Sequence, residues 1–256
     1  MYLSILLATF ISIMSVSGAM AAHGTVFHDK NQNGQKDEGE PGIKNIGVSN
    51  GKEVTETNDQ GIWELPHDED TIFFVIKPRN WSAPLNKHNL PQFYYIHKPE
   101  GSPAKLKYKG LEPTGPLPES IDFALSKKKE PDTFKAIFFG DPQPSTIKQI
   151  NYIAHDIIAE LVGTDAKFGV TLGDIMNNNL DLFSPSNANL ALIGIPWYNV
   201  VGNHDINFDS QDDAGSDETF HRFFGPNYYS FDHGPVHFIV LDDVEWSGKN
   251  YKGGLD

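Results

Sequence analysis

The stretch Trp197-Tyr198-Asn199-Val200-Val201-Gly202-Asn203-His204-Asp205 decides the fold. An apolar run of strand length ends in a glycine, and side chains able to bind metals or move protons follow at once. Two earlier stretches share that design: Ala136-Ile137-Phe138-Phe139-Gly140-Asp141-Pro142-Gln143 and Phe168-Gly169-Val170-Thr171-Leu172-Gly173-Asp174. In open α/β sheets chemistry collects at the carboxyl ends of strands, where glycine lets the backbone turn sharply. Three such ends are expected to converge on one site.

Between the first two strands, Ile147, Ile150, Ile153, Ala154, Ile157, Ile158 and Leu161 recur at spacings of three and four and predict one apolar helical face. Ser145 or Thr146 caps its start and Gly163 its end. Strand, helix, strand in this order predicts a right-handed parallel crossover. Farther on, Tyr228–Phe231 and Val236–Leu241 form a hairpin around Asp232-His233-Gly234-Pro235.

Together the three blocks resemble the calcineurin-like metallophosphoesterase family, whose signature runs Asp-x-His, then Gly-Asp, then Gly-Asn-His-Asp or -Glu, then two later histidine blocks. The resemblance covers residues 134–256. Gln143 stands where many members have histidine, and some branches use Asp-Pro-Gln here. The later blocks, including Gly-His-x-His, do not occur before Asp256.

The resemblance implies an incomplete α/β/β/α metallophosphoesterase sandwich, and an enzyme that hydrolyses a phosphomonoester or phosphodiester. It implies two divalent ions, Mn, Mg, Fe or Zn, bridged by Asp174, with Asp141 and Gln143 on one and Asn203 on the other. In that scheme His204 assists the leaving group and Asp205 fixes its tautomer. A metal pair supplies a hydroxide nucleophile and an electrophile for the phosphoryl oxygens, and oxygen donors favour the harder ions. No substrate-binding residue is legible. His221, His233 and His237 lack ligand spacing and are expected to pack in strands or loops. Asn177, Asn178 and Asn179 either hydrogen-bond the site or cap the loop.

A net charge of −14, from 34 acidic and 20 basic residues, opposes a nucleic-acid scaffold, whereas a phosphate-ester partner remains compatible with a metal site. Residues 1–21 read as a signal peptide: Met1 to Met20 carry no charged side chain and Ala19-Met20-Ala21 offers a small-x-small cleavage site. The protein is thus expected to be secreted or periplasmic, with no stable membrane insertion unless the signal is retained. With no cysteine, its domains depend on packing and metals.

Residues 22–125 read as a small β-sandwich, immunoglobulin-like or prealbumin-like. Asn50-Gly51 predicts a two-residue hairpin turn, Asn58-Asp59-Gln60-Gly61 a second turn, and Thr71–Ile76 and Ile121–Leu125 core strands. Pro84–Pro118 reads as a long excursion loop with little regular structure, whose Phe93, Tyr94 and Tyr95 either stack on a ligand or pin the loop down. The run over 126–133 reads as a solvated linker to the phosphoesterase domain at 134–256.

One loop fits the twelve-residue calcium pattern. Asp29, Asn31, Asn33, Asp37 and Glu40 fall at positions one, three, five, nine and twelve, Gln35 offers its carbonyl at seven, and Gly34 makes the sharp turn. Its flanks are those of a strand and a Pro-Gly pair, as in calcium loops of β-sandwich repeats; a solvated acidic loop is the other reading. The missing histidine blocks and a hairpin with an uncovered apolar face lead to the expectation of a truncated product, inactive and poorly soluble alone. The competing functional reading is a non-catalytic, calcium-stabilised binding module carrying a degenerate phosphatase remnant.

Overall fold

The computed structural model describes residues 20–254, so the signal-peptide reading of residues 1–21 lies almost wholly outside the described residues. Eight strands open the fold: β1 (Ala21–His28), β2 (Gly47–Ser49), β3 (Val54–Glu56), β4 (Ile62–Pro66), β5 (Thr71–Val75), β6 (Trp81–Ser82), β7 (Tyr94–His97) and β8 (Phe123–Lys127). They make two sheets, ordered β4-β1-β8-β6 and β3-β2-β5-β7. Alternate residues of β1 and β4 turn inward, as period-two strands half-facing water must. Between the sheets Trp63 packs on Phe73 and Phe123, with ring centroids 5.5 and 5.9 Å apart.

Three expectations for this half are corrected. The Asn50-Gly51 turn is not a two-residue loop: Ser49 pairs with Val54, leaving four residues between the strands. The Asn50 side chain explains this, since its Oδ1 accepts from Lys52 N and Glu53 N and closes a wider turn. The excursion loop carries a strand, β7, on the edge of the second sheet. The expected linker is exposed over most of its length but not at Glu130. Glu130 is buried, its carboxylate accepting from Lys77 Nζ at 2.7 Å, Asn80 N at 3.0 Å and Gly234 N at 3.0 Å.

After Glu130 come β9 (Ala136–Phe139), β10 (Phe168–Leu172) and β11 (Trp197–Val200), a parallel sheet ordered β11-β10-β9. Helix α1 (Ile147–Ile153) links the first two and continues through a π-helical turn, Ala154–Ile158, into α2 (Ala159–Leu161). Thr146 is the cap, accepting from Gln149 N. The expected single apolar face is only partly realised: Ile150 and Ile158 are buried, but Ile147 and Ile157 are exposed. The π turn adds a residue to one revolution and rotates the later positions off the stripe. Helix α3 (Phe183–Leu190) precedes β11, and α4 (Glu218–Phe224) precedes the hairpin of β12 (Tyr229–His233) and β13 (Val236–Val240). A last pair, β14 (Val244–Trp246) and β15 (Tyr251–Gly253), follows.

Layers form on both faces of the parallel sheet. Trp197, Ile137 and Phe139 belong to a core shared with α1 and α3, and Gly169 exists because a Cβ there would sit 2.1 Å from the Trp197 ring. On the other face Tyr198 stacks on Phe231 of the hairpin at 4.0 Å, nearly parallel. This is a β plus α/β fold. Phe93 of the excursion loop reaches Tyr229 at 5.2 Å and Tyr198 at 6.3 Å, so one apolar cluster runs from the sandwich into the second half. Of the three loop aromatics, Phe93 is buried and pins the loop to the parallel sheet, while Tyr94 and Tyr95 are half-buried against the same core. Val236, Ile239 and Leu241 stay exposed, as the apolar pattern of the hairpin leads one to expect.

Candidate active site

The central strand β10 delivers Asp174 between the loops that follow β9 and β11. Its Oδ2 accepts from Gln143 Nε2 at 2.8 Å, its backbone carbonyl from Gln143 N at 3.0 Å, and its Oδ1 from His204 N at 3.0 Å. A Cβ on Gly202 would lie 2.1 Å from Asp174 N, so only glycine lets the two loops close to this distance. Gln143, Asp174 and His204 are thus brought into one hydrogen-bonded group. Asp141 and Asn203 flank it on the same loops, and among the described residues their side chains make no hydrogen bond.

The backbone here is strained. Asp141, Gln143, Asp174 and Asn178 have φ of 52°, 41°, 45° and 58°, in the left-handed region that costs a non-glycine residue on the order of 1 kcal/mol or more. Four such residues on adjoining loops mark where side-chain placement has overridden backbone preference.

The expectation that Asp205 orients His204 is corrected. Asp205 is fully buried, and its carboxylate accepts from Ile175 N and Met176 N at 2.9 Å and from Gly202 N at 3.0 Å. It ties the β10 loop to the β11 loop from beneath. Burial, helped by the nearby Asp174 charge, pushes its pKa up to about 8 against those three donors, which favour the anion. The His204 ring instead meets Asn178: Nδ1 and Oδ1 are 2.8 Å apart. Asn178, whose role sequence reasoning left undecided, thus lies beside the site, and Tyr108, whose hydroxyl donates to the Asn178 carbonyl at 2.7 Å, is a contact it missed. No local signal marks Tyr108.

The donor set tests what ion this site suits. Asp141 and Asp174 offer carboxylates, and Gln143 and Asn203 offer amide oxygens, a hard set fit for a divalent cation. It is short for two ions. Among the described residues no group of three or more histidine, aspartate or glutamate side chains is arranged to hold a metal. His221 and His233 pack internally, His233 between Phe134 and Phe168, while His237 pairs with Asp232.

In the acidic loop the expected ligands face one another. Asp29 accepts from Gln32 N, Asn33 N and Gly34 N, and Gly34 has the left-handed turn with φ of 75°. Asn31 and Asn33 both donate to Asp37 Oδ2, at 2.7 and 2.8 Å, which draws the Asp37 pKa below the usual range. Glu40 accepts from Lys30 N and Asp37 N with its two oxygens.

Residues 30–112 match the family model described as the N terminal of calcineurin-like phosphoesterase. That interval holds most of the acidic loop and all of the excursion loop up to Glu112. No curated protein sequence matches the chain. Among solved structures the chain is similar to purple acid phosphatase PPD1 isolated from yellow lupin (Lupinus luteus) seeds, at 14% identity and a TM-score of 0.34, over 76% of this chain and 38% of that one. The chain therefore spans well under two thirds of that phosphatase's length.

Proposed function

We propose that this chain, whose amino-terminal region is that of a calcineurin-like phosphoesterase, carries a metal-dependent phosphoesterase site that hydrolyses a phosphomonoester or phosphodiester outside the cytoplasm. The observation that carries the reading is the meeting of the three strand ends, with Asp174 hydrogen-bonded to both Gln143 and His204 on strained backbones. Asp141, Gln143, Asp174 and Asn203 would hold the divalent ions, which when bound supply an activated water and charge for the phosphoryl oxygens. Asp174, on the central strand, is the residue able to serve both flanking loops. His204 stands beside it with Nδ1 committed to Asn178, which leaves Nε2 to hold or release a proton toward the leaving group. The acidic loop is a second cation element in this reading, taking calcium through Asp29, Asn31, Asn33, Gln35, Asp37 and Glu40.

Hydrolysis of an aryl phosphate monoester and an aryl diester, each with manganese, magnesium, iron or zinc added, tests the assignment. Turnover that requires metal and is lost in both Asp174→Asn and Asn203→Ala supports it. Metal-independent turnover, or none with any ion, removes it. The second outcome would favour the non-catalytic reading, which draws support from the short ligand set. No helix among the described residues is long and apolar enough to cross a membrane; export itself is tested by recovery of a processed chain beginning after Ala21.

A further inference from the structure

Tyr108 lies in the excursion loop, 70 positions before the residue its hydroxyl touches. We propose that Tyr108 is a positioning residue for His204, so that the amino-terminal module sets the geometry of the candidate active site. Its catalytic consequence rests on the phosphoesterase reading; its geometric content does not.

Asn178 is the link. Its left-handed backbone is tolerated by asparagine but is not held by that preference alone. Three anchors hold it: Tyr108 Oη donates to its carbonyl at 2.7 Å, its own N–H donates to the His204 carbonyl at 3.2 Å, and its Nδ2 donates to Asn177 Oδ1 at 3.1 Å. The last contact also orients the amide, turning Oδ1 toward His204 Nδ1. With Oδ1 as acceptor, Nδ1 carries the proton and Nε2 is left for chemistry.

Tyr108 is itself immobilised. It is buried, and the segment around it is clamped by the other half of the molecule. Lys107 N donates to Asp209 Oδ2 at 2.7 Å, Thr219 Oγ1 to the Tyr108 carbonyl at 3.0 Å, and an Arg222 nitrogen to the Lys109 carbonyl at 2.9 Å. A shift of the excursion loop therefore moves the Asn178 carbonyl, and through it the group that sets the imidazole tautomer. The unabsorbed feature of the sequence, a long loop of little regular structure in an accessory module, thereby acquires a role at the site.

The test uses the whole protein with nitrogen-15-labelled histidine, at a pH where the His204 ring is neutral. Proton–nitrogen correlation spectra of the wild type are expected to show His204 protonated at Nδ1. Tyr108→Phe, which keeps the ring and deletes only the hydroxyl, should bring His204 into exchange between tautomers, and Asn178→Ala should do the same. Arg222→Ala, which loosens a different clamp on the same loop but keeps the Tyr108 hydroxyl, should change His204 far less than Tyr108→Phe does. Unchanged His204 signals in Tyr108→Phe, or equal changes in Arg222→Ala, overturn the proposal. If Tyr108→Phe does not fold, a ring fluorine beside the Tyr108 hydroxyl replaces it, with a His204 shift expected and no shift overturning. Where turnover is measurable, Tyr108→Phe should lower kcat about tenfold with KM nearly constant. A wild type without turnover refutes the phosphoesterase reading and leaves the spectroscopic outcome decisive for this one.

Discussion

The acidic loop and the strand-end cluster are built from the same kinds of oxygen and commit them to different degrees. In the loop the two Glu40 oxygens, both Asp29 oxygens and the Asn31 and Asn33 amides are spent on backbone N–H groups or on Asp37. In the cluster Asp174 commits both oxygens to Gln143 and His204, but Asp141 and Asn203 spend nothing, and three of the four expected ligands sit on left-handed backbone. A satisfied oxygen stabilises the protein without help, and a cation must displace its partners to use it. An oxygen with no protein partner is open to a cation without displacing anything, and non-glycine residues held on left-handed backbone persist because something else requires them. The strand-end cluster is therefore the stronger candidate for chemistry, although the acidic loop fits its motif at more positions.

The sharpest way to break that contrast is at Asp174. Asp174→Asn should reduce metal-dependent turnover by roughly a thousandfold, because it removes the one carboxylate that faces both neighbouring loops. Gln143→His should cost far less, on the order of tenfold or below, since it exchanges one neutral donor for another. Comparable losses in steady-state assays of the two variants would mean that the cluster is a hydrogen-bonded scaffold like the loop.

Asp205 is the next test, because it lies in the cluster yet is satisfied as the loop is. Asp205→Ala should lower stability to urea by about 3 kcal/mol or more, since it orphans three buried N–H donors. Asp205→Asn should cost less. A variant with full stability and lost activity would restore Asp205 to the proton-handling role that its neighbourhood to His204 implies.

That error shows where the sequence stops being legible. Strand ends are readable because an apolar run, a glycine and a polar residue are consecutive, and all three blocks meet as expected. The helix cap is readable for the same reason to within one residue, Ser145 or Thr146, and the structure uses Thr146. Contacts set by the third dimension are not. His204 and Asp205 are adjacent in the chain, yet one side chain reaches Asn178 and the other passes beneath the loop. Glu130 reads as solvated linker because its partner Lys77 is 53 residues away. Tyr108 carries no local signal, since its hydroxyl matters only through a residue on another domain. The Asn50 turn failed on a finer scale: a side-chain oxygen, rather than backbone φ preference, decided the loop length.

His221 extends the contrast to a ring with one orphaned nitrogen. Its Nε2 finds no partner among the described residues, and burial lowers its pKa to about 4. In the unfolded chain the ring takes its proton near pH 6.5, so the unfolded state binds more protons between these values. Stability held above pH 6.5 is lost as pH falls toward 4, by up to about 3 kcal/mol from this group. Urea midpoints measured between pH 7 and 5 should fall in the wild type and fall less steeply in His221→Phe. Parallel slopes in the two proteins would place the proton elsewhere.

Calcium gives the smallest effect and the most direct test of the satisfied loop. To bind, the ion must replace N–H groups on Asp29 and Glu40 and reverse the Asn31 and Asn33 amides, which now present nitrogen to Asp37. Those losses offset much of the attraction, so millimolar calcium should raise the melting temperature of the whole protein by only a few degrees, about 1 kcal/mol. The whole chain is the right sample, because the buried Glu130 and the shared apolar cluster bind the sandwich to the other half. Glu40→Gln should lose most of the shift while also lowering the calcium-free melting temperature, since its two oxygens hold the loop closed on Lys30 N and Asp37 N. Coincident melting curves with calcium and with chelator would leave the loop as a self-satisfied turn, and the contrast between the two oxygen clusters would then stand.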